Sequence, residues 1–158
     1  DFLSTDEASS LDTWIHAWES IEKVTGKLYH YGVLIQPTSP LRSNDELRNS
    51  FQLMLDEKYE AVATVSKVPG NFKPEKIIHK KNDKLDFFME EEVERNNRNL
   101  LKNYWYRNGN FYIATRKQIL ERKYILEGNY GFYPTKNYSV NIDEEIDLKL
   151  ARLIMEEK

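Results

Sequence analysis

The chain has 158 residues, of which 40% are hydrophobic and 31% are charged, so its length and composition predict one packed domain. The formal net charge of −3 leaves no electrostatic footprint for nucleic acid, and no apolar run is long enough to span a membrane. Cysteine is absent, which excludes disulfides and thiolate chemistry and fits the reducing conditions of the cytoplasm.

The first half of the chain alternates predicted helices and strands. Apolar residues at near-helical spacing predict a helix over residues 10–23. Residues 31–35 predict a short strand that is apolar on both faces and therefore suits the middle of a parallel sheet. A capping box formed by Ser43 and Glu46 predicts the start of a second helix, and residues 61–66 predict a second strand. This alternation predicts an α/β fold with a mostly parallel sheet flanked by helices.

The second half begins with a change of character. Residues 82–83 predict the turn of a β-hairpin. The segment at about 87–104 is charged and polar with few core candidates, which predicts an excursion from the body of the fold. Residues 111–114 predict a third strand, and the chain closes with a predicted strand over 139–142 and a helix over 144–156.

A rigid polar elbow leaves the first predicted strand at Gln36 and ends at Arg42. Two prolines fix the backbone there, which leaves the Gln36 amide, the Thr38 and Ser39 hydroxyls and the Arg42 guanidinium as the polar groups. Ligands of open α/β sheets bind beyond the carboxyl ends of the strands, which favours a ligand site. A strand-to-helix loop whose hydroxyls satisfy the local backbone is the alternative. Both interpretations are open from the pattern alone.

A second candidate site lies near the C-terminus. Asn141 and Asp143 are two residues apart on a predicted strand, so their side chains point the same way, and Asp147 follows one helical turn later. Such a pair of oxygen donors suits Mg²⁺, which takes one or two carboxylates together with phosphate oxygens and water. The alternative makes Asp143 the N-cap of the last helix, accepting from the amide of Glu145 or Ile146.

Four motifs stand in order along the chain: "STDEASSLDTWIHAWE", "LIQPTSPLR", "YRNGNFYI" and "SVNIDEEIDLKLA". Together they make the chain similar to the acylneuraminate cytidylyltransferase family, the CMP-sialic acid synthetases and their relatives. The resemblance implies a Rossmann-like nucleotidyltransferase fold. It also implies that the anomeric hydroxyl of a nonulosonic, sialic-type sugar acid attacks the α-phosphorus of CTP with the help of Mg²⁺, which gives a CMP-sugar and pyrophosphate.

The resemblance implies a role for nine residues of this chain. Gln36 and Asp143 are implied to be catalytic, and Asp143 to hold the metal together with Asn141. Ser10 is implied to lie beside the nucleotide. The substrate-binding set is implied to contain Gln36, Arg42, Lys76, Arg98, Asn108 and Tyr112.

The resemblance also implies a homodimer. The segment at about 87–104 corresponds to a protruding dimerisation arm of the family. Arg98 matches a family arginine that reaches the sugar carboxylate from the partner subunit, and Lys76 is implied to act beside it. The polar composition of the segment is thereby explained.

The chain departs from the family pattern at several positions. Asn141 stands in place of the first aspartate of an Asp-x-Asp motif, and Asn110 in place of a small residue after Asn-Gly. Asn99 and Trp105 replace a glutamine and a tyrosine. These departures bear on the affinity of the metal site and on the identity of the sugar.

The largest departure is the absence of the family's basic, glycine-containing loop of the Arg-x-Gly-Ser-Lys type, which cradles the CTP triphosphate. Residues 1–158 are therefore expected to be a partial nucleotidyltransferase domain, the C-terminal two-thirds, and to be inactive by themselves. A relative that activates a legionaminic- or pseudaminic-type sugar acid is a second possibility. A non-catalytic sugar-binding or dimerisation module derived from such an enzyme is the third.

Overall fold

A computed structural model describes residues 9–89 and 102–157 of the chain. Its helices are α1 (Ser10–Thr25), α2 (Asn44–Asp56) and α3 (Glu145–Glu156). Its strands are β1 (Tyr31–Leu34), β2 (Ala61–Lys67), β3 (Ile78–Lys81), β4 (Lys84–Phe87), β5 (Trp105–Thr115) and β6 (Tyr130–Pro134). The chain divides into two compact units, Asp1–Val65 with Arg107–Lys158, and Ser66–Tyr106.

The first unit is built on a sheet whose strand order is β1-β5-β2-β6. The pair β1/β5 is antiparallel and the pair β2/β6 is parallel. The predicted α/β class with helices flanking the sheet is confirmed, but the sheet is mixed where the sequence predicted a mostly parallel one. The reason is β5, which follows the second unit and not a crossover helix, and therefore has no need to run parallel to β1.

Strand β1 lies at one end of this sheet and pairs only with β5 among the described strands, so its predicted place in the middle is wrong for the described residues. Tyr31 is 43% exposed and Val33 is 37% exposed. The strand is apolar on both faces because a helix covers each of them. The ring of Trp18 in α1 lies so close to Gly32 that a side chain there would overlap it. On the other face the Tyr31 ring meets Phe51 of α2 at a centroid distance of 5.1 Å.

The core has one layer on each face of the sheet. The layer under α1 joins Trp14, Trp18, Ala61, Ala114 and Ile119. The layer under α2 joins Met54, Val62, Phe111 and Ile113. Removing a buried Trp or Phe side chain from such a layer costs about 3–5 kcal/mol, so these layers hold the sheet between the two helices.

The start of α2 follows its predicted capping signal only in part. Ser43 is the N-cap, and its hydroxyl accepts from the Glu46 N–H at 3.1 Å, as predicted. The Glu46 carboxylate, however, does not return to Ser43 but accepts from the Asn137 N–H at 3.2 Å. The second hydrogen bond of the capping box is therefore replaced by one to a loop that is distant in the sequence.

The start of α3 differs from the prediction. Glu144 is the N-cap and forms a capping box with Asp147, so the alternative that made Asp143 the cap is wrong. The predicted strand over 139–142 is also absent, because the backbone there lies beside the elbow and not along a strand, with the Ile142 N–H donating to the Thr38 carbonyl at 2.8 Å. The Asp143 side chain is thereby released from a capping role.

The second unit contains the predicted β-hairpin, formed by β3 and β4 in antiparallel register. Asn82 and Asp83 have φ values of 48° and 61°, the left-handed pair that a two-residue type I′ turn requires. Most of the predicted arm, residues 90–101, lies outside the described residues. In the described parts of the chain, no helix combines the length and apolarity needed to cross a bilayer.

One carboxylate ties α1 to the strands at its C-terminal end. Glu22 Oε1 accepts from Trp18 Nε1 at 3.1 Å, from the Tyr29 N–H at 3.1 Å and from Arg116 Nε at 3.0 Å. Its Oε2 accepts from Arg116 Nη2 at 3.0 Å. The Arg116 hydrogen bond is the main cause that lowers the pKa of Glu22 from 4.5 to about 2.

This pKa shift predicts an acid-sensitive contribution to stability. The folded-state pKa lies below the unfolded value, so the stabilisation is present above pH 4.5 and is lost as pH falls toward 2. We expect Glu22→Gln to lower the melting temperature at pH 7, and the gap to the wild type to close as the pH is lowered through that window. Melting curves between pH 2 and 7 measure this, with the exposed Glu57→Gln as the matched control. A gap that is constant with pH would contradict the assignment.

Candidate active site

The elbow after β1 is held by its own arginine. The Ser39 N–H donates to the Gln36 carbonyl at 3.2 Å, which closes the turn. Arg42 Nη1 then donates to the carbonyls of Gln36 at 2.7 Å and Ser39 at 2.8 Å. Arg42 thus holds the elbow from within, and its expected contact with substrate stays a prediction.

The Gln36 side chain lies against a glycine of the neighbouring strand. Gly109 in β5 has φ +75°, in the left-handed region that favours glycine. A Cβ at this position would lie 2.5 Å from Gln36 Oε1 and 2.8 Å from Ser39 Oγ. The absence of a side chain at Gly109 therefore decides where the Gln36 amide and the Ser39 hydroxyl can be.

Asn108 is buried and its amide is used inside the protein. Its Oδ1 accepts from Thr64 Oγ1 at 2.7 Å and from the Asn110 N–H at 3.2 Å, and its Nδ2 donates to Thr135 Oγ1 at 3.0 Å. Thr64 belongs to β2 and Thr135 follows β6. Asn108 therefore joins β5 to β2 and to the segment after β6, and its expected contact with substrate stays a prediction.

Asn141 and Asp143 lie side by side, as the sequence predicted, although no strand holds them. Asn141 Nδ2 donates to Asp143 Oδ2 at 2.8 Å, and Ser39 Oγ lies 3.2 Å from Asn141 Oδ1. The N–H groups of Asp143 and Glu144 donate to Asp147 Oδ2 at 3.1 and 2.9 Å, which fixes the backbone of this turn. Both Asn141 and Asp143 are exposed, so a ligand can reach them.

The oxygen atoms of Asn141 and Asp143 are of the kind that Mg²⁺ takes as ligands. Within residues 9–89 and 102–157, no group of three His, Cys, Asp or Glu side chains is arranged to hold a metal by itself. Mg²⁺ in nucleotide enzymes is commonly held by one or two carboxylates and by substrate phosphates, so the Asp143 carboxylate can supply the protein's share. In the present orientation Asn141 turns its NH₂ group, and not its oxygen, toward Asp143.

The other predicted site residues are placed as follows. Tyr112 is paired in register with Leu34, next to the start of the elbow, and packs against the core layer under α1. Ser10 is the exposed first residue of α1. Lys76 is exposed at the end of a short 3₁₀ turn of the second unit. Arg98 lies outside the described residues.

The structure thus brings five of the predicted residues to one edge of the sheet: Gln36, Arg42, Asn108, Asn141 and Asp143. Sequence reasoning missed Thr64 and Thr135, which hold Asn108. A threonine in the middle of a strand or just after one carries no signal of such a role. The Asn-Gly pair at 108–109 did carry a signal, because that dipeptide favours positive φ.

Comparison with known structures defines the class of fold. The chain superposes on a CMP:2-keto-3-deoxy-manno-octonic acid synthetase complexed with CTP, with a TM-score of 0.65 and 12% sequence identity. The match covers 96% of this chain and 70% of that one. The chain therefore has a nucleotidyltransferase fold. The polar residues described above lie at one edge of its sheet. No protein-family model matches the chain.

Comparison of sequences defines the family. The chain is 32% identical over 161 residues to the N-acylneuraminate cytidylyltransferase of Escherichia coli O18:K1:H7, covering 99% of this chain and 36% of the relative. It is also 32% identical over 167 residues to the CMP-N,N′-diacetyllegionaminic acid synthase of Legionella pneumophila, covering 98% of this chain and 66% of the relative. The chain belongs to the acylneuraminate cytidylyltransferase family.

The contact between Gln36 and Gly109 leads to a prediction. Gly109→Ala adds a Cβ both to a left-handed backbone and to the space that the Gln36 amide fills. Gly26→Ala is a matched control, since Gly26 has φ +66° but nothing within 4 Å of a built Cβ. We expect Gly26→Ala to lose about 1–2 kcal/mol from backbone strain alone, and Gly109→Ala to lose more. Urea unfolding measures both, and equal losses would show that Gln36 is not held by this glycine.

Proposed function

We propose that the whole protein is a cytidylyltransferase that activates a nonulosonic sugar acid with CTP, giving a CMP-sugar and pyrophosphate in the cytoplasm. The observation that carries this proposal is the junction at Ser39. Through it the Gln36 elbow meets both the Asn108–Gly109 pair of β5 and the Asn141–Asp143 turn. A group that can contact a sugar and a carboxylate that can hold a cation are thereby fixed relative to one another.

The proposed reaction asks the protein for positioning and charge neutralisation. The anomeric oxygen of the sugar acid forms a bond to the α-phosphorus of CTP, the bond from that phosphorus to the pyrophosphate oxygen breaks, and the hydroxyl proton is lost to solvent. The Gln36 amide, with donors and an acceptor, is suited to orient the sugar hydroxyls. Asp143 would hold Mg²⁺, whose charge offsets that of the phosphate oxygens when it is bound.

We further propose that the triphosphate is held by a part of the polypeptide outside residues 1–158. The chain spans 36% and 66% of the two relatives named above, and its sequence contains no Arg-x-Gly-Ser-Lys loop. The outer edge of β1 is unpaired among the described strands and borders an open, apolar groove of about 410 Å³. Trp14, Trp18, Ile21 and Tyr29 line this groove together with β1, and such a surface suits a further strand.

The sugar is proposed to be of the sialic or the legionaminic type. The two relatives are named for N-acylneuraminate and for N,N′-diacetyllegionaminic acid, and each is 32% identical to this chain. The equal identities do not separate the two sugars. Asn110 is the position that we relate to the choice of sugar, because it departs from the family pattern. It is buried in β5, where its Oδ1 accepts from Ser139 Oγ at 2.9 Å.

A homodimer through the segment at about 87–104 is also proposed, with Arg98 and Lys76 serving the sugar carboxylate across it. The described part of the second unit supports an interface, because large apolar side chains are exposed on it. Leu85 is 78% exposed, Phe72 is 67% exposed and Phe88 is 60% exposed. Such exposure on one small unit is typical of a surface that another chain covers.

The proposed function is tested by pyrophosphate release from CTP with a panel of nonulosonic acids. We expect turnover by the whole protein and negligible turnover by residues 1–158 alone, because the β- and γ-phosphates lack their cradle. Loss of turnover in whole-protein Gln36→Ala ties the activity to this site. Absence of turnover with every sugar acid would favour the non-catalytic sugar-binding or dimerisation module. Full activity of residues 1–158 would refute the proposal that the triphosphate is held by another part of the polypeptide.

If the proposed dimer forms through the second unit, a substitution on that unit should change the molecular mass measured in solution. We expect light scattering at micromolar concentration to give twice the protomer mass, and Phe88→Asp to shift it toward the monomer, since a buried charge disrupts an apolar interface. Tyr124→Asp is the control, because Tyr124 is also exposed (55%) but belongs to the first unit. A monomeric wild type would contradict the proposal.

The proposed metal site predicts opposite effects at its two side chains. Asn141→Asp adds a second carboxylate, so the Mg²⁺ concentration for half-maximal rate should fall. Asp143→Ala removes the only carboxylate of the pair, so activity should be largely lost while stability changes by less than about 0.5 kcal/mol, since Glu144 is the cap. Asp147→Ala is the control for capping and should cost about 1 kcal/mol. Mg²⁺ titrations beside melting curves decide, and unmoved titration midpoints would refute the metal site.

A further inference from the structure

The Ser39 hydroxyl has two acceptors and one proton. Ser39 is 0% exposed, so its hydroxyl lies out of reach of bulk solvent. Its Oγ lies 3.2 Å from the Asn108 carbonyl oxygen and 3.2 Å from Asn141 Oδ1. Hydroxyl hydrogen bonds between oxygens are usually shorter, about 2.7–2.8 Å, so the single proton is shared between two weak bonds. The one proton of Ser39 therefore cannot form a short hydrogen bond to both acceptors in this arrangement.

Reversing the Asn141 amide would satisfy the junction. If its oxygen and nitrogen exchange places, Nδ2 donates to Ser39 Oγ, and Ser39 gives its whole proton to the Asn108 carbonyl. Every polar atom at Ser39 then has a partner of the right kind. The reversal is unfavourable on the Asp143 side of the amide. There Asn141 Oδ1 would take the place of Nδ2, which now donates to Asp143 Oδ2 at 2.8 Å, and two oxygens would face each other.

A cation removes that cost. Two oxygens at such a distance repel each other unless a positive charge lies between or beside them. With a divalent cation on Asp143, the reversed amide offers the cation an oxygen ligand in place of a repelling NH₂ group. Without the cation, the observed orientation, in which Asn141 Nδ2 donates to Asp143, is the favoured one.

We propose that Ser39 is a positioning residue that couples cation binding at Asp143 to the sugar-facing strand through a reversal of the Asn141 amide. This inference rests on the metal site of the proposed function. Cation binding tightens the bond from Ser39 to the Asn108 carbonyl, beside the Gly109 backbone on which the Gln36 amide lies. By reciprocity, a protein unable to form the Ser39 bonds binds the cation more weakly.

The test follows the side-chain amide of Asn141 by NMR. Whole protein carrying ¹⁵N-labelled asparagine is titrated with Mg²⁺ in the presence of CTP and without a sugar acid, so that no turnover occurs. The Asn141 signals are identified by their loss in Asn141→Asp. We expect them to shift saturably in the wild type, and the titration midpoint to rise roughly two- to tenfold in Ser39→Ala, the value of one net hydrogen bond.

Ser50→Ala is the matched control, because Ser50 is also 0% exposed but its hydroxyl donates to Leu47 O within α2, away from this junction. Its Mg²⁺ midpoint should equal that of the wild type, which separates coupling from a general loss of stability. If Asp143→Ala weakens Mg²⁺ binding but Ser39→Ala does not, the coupling is overturned and the metal site stands. If Asp143→Ala also binds Mg²⁺ as the wild type does, both are overturned.

Discussion

Buried polar groups must find partners inside the protein, and this requirement shapes the edge of the sheet where the proposed chemistry lies. Asn108, Thr64 and Ser39 are all buried, and each uses its side chain to hold a different segment. The Asn108 amide joins β5 to β2 and to the chain after β6, and the Ser39 hydroxyl joins the elbow to β5 and to the Asn141 turn. Losing one member would remove the hydrogen bond that joins two of these segments, at about 0.5–1.5 kcal/mol for each bond lost.

The glycines beside this network allow the segments to approach. Gly109 leaves room for the Gln36 amide, and Gly32 leaves room for the ring of Trp18. The first brings a polar side chain onto a strand, and the second brings α1 onto the sheet. Both contacts require a backbone without a side chain, which explains why small residues stand in two strands that otherwise favour larger ones.

The proposed chemistry asks for little from individual side chains and much from their placement. A nucleophile supplied by one substrate and a leaving group supplied by the other need only be held in line, with their charge neutralised. The described residues fit this need for placement, because the Gln36 amide and the Asp143 carboxylate come from separate segments of the chain. Arg42 donates two hydrogen bonds to backbone carbonyls of the elbow itself. In this arrangement Arg42 is part of the scaffold that shapes the elbow.

The sequence by itself determined the local structure and the family. The helical spacing after Ser10, the Ser43 cap and the turn at residues 82–83 were all predicted correctly, because such signals act within about four residues. The four motifs identified the family, which the relatives confirm. Only the tertiary structure decided the rest. It placed β1 at the end of the described sheet, set residues 139–142 beside the elbow and not along a strand, and gave Asn108 and Ser39 partners 44, 69 and 102 residues away. Partners so distant in the chain are chosen by packing and by the need to satisfy buried polar groups, and neither is readable from neighbouring residues.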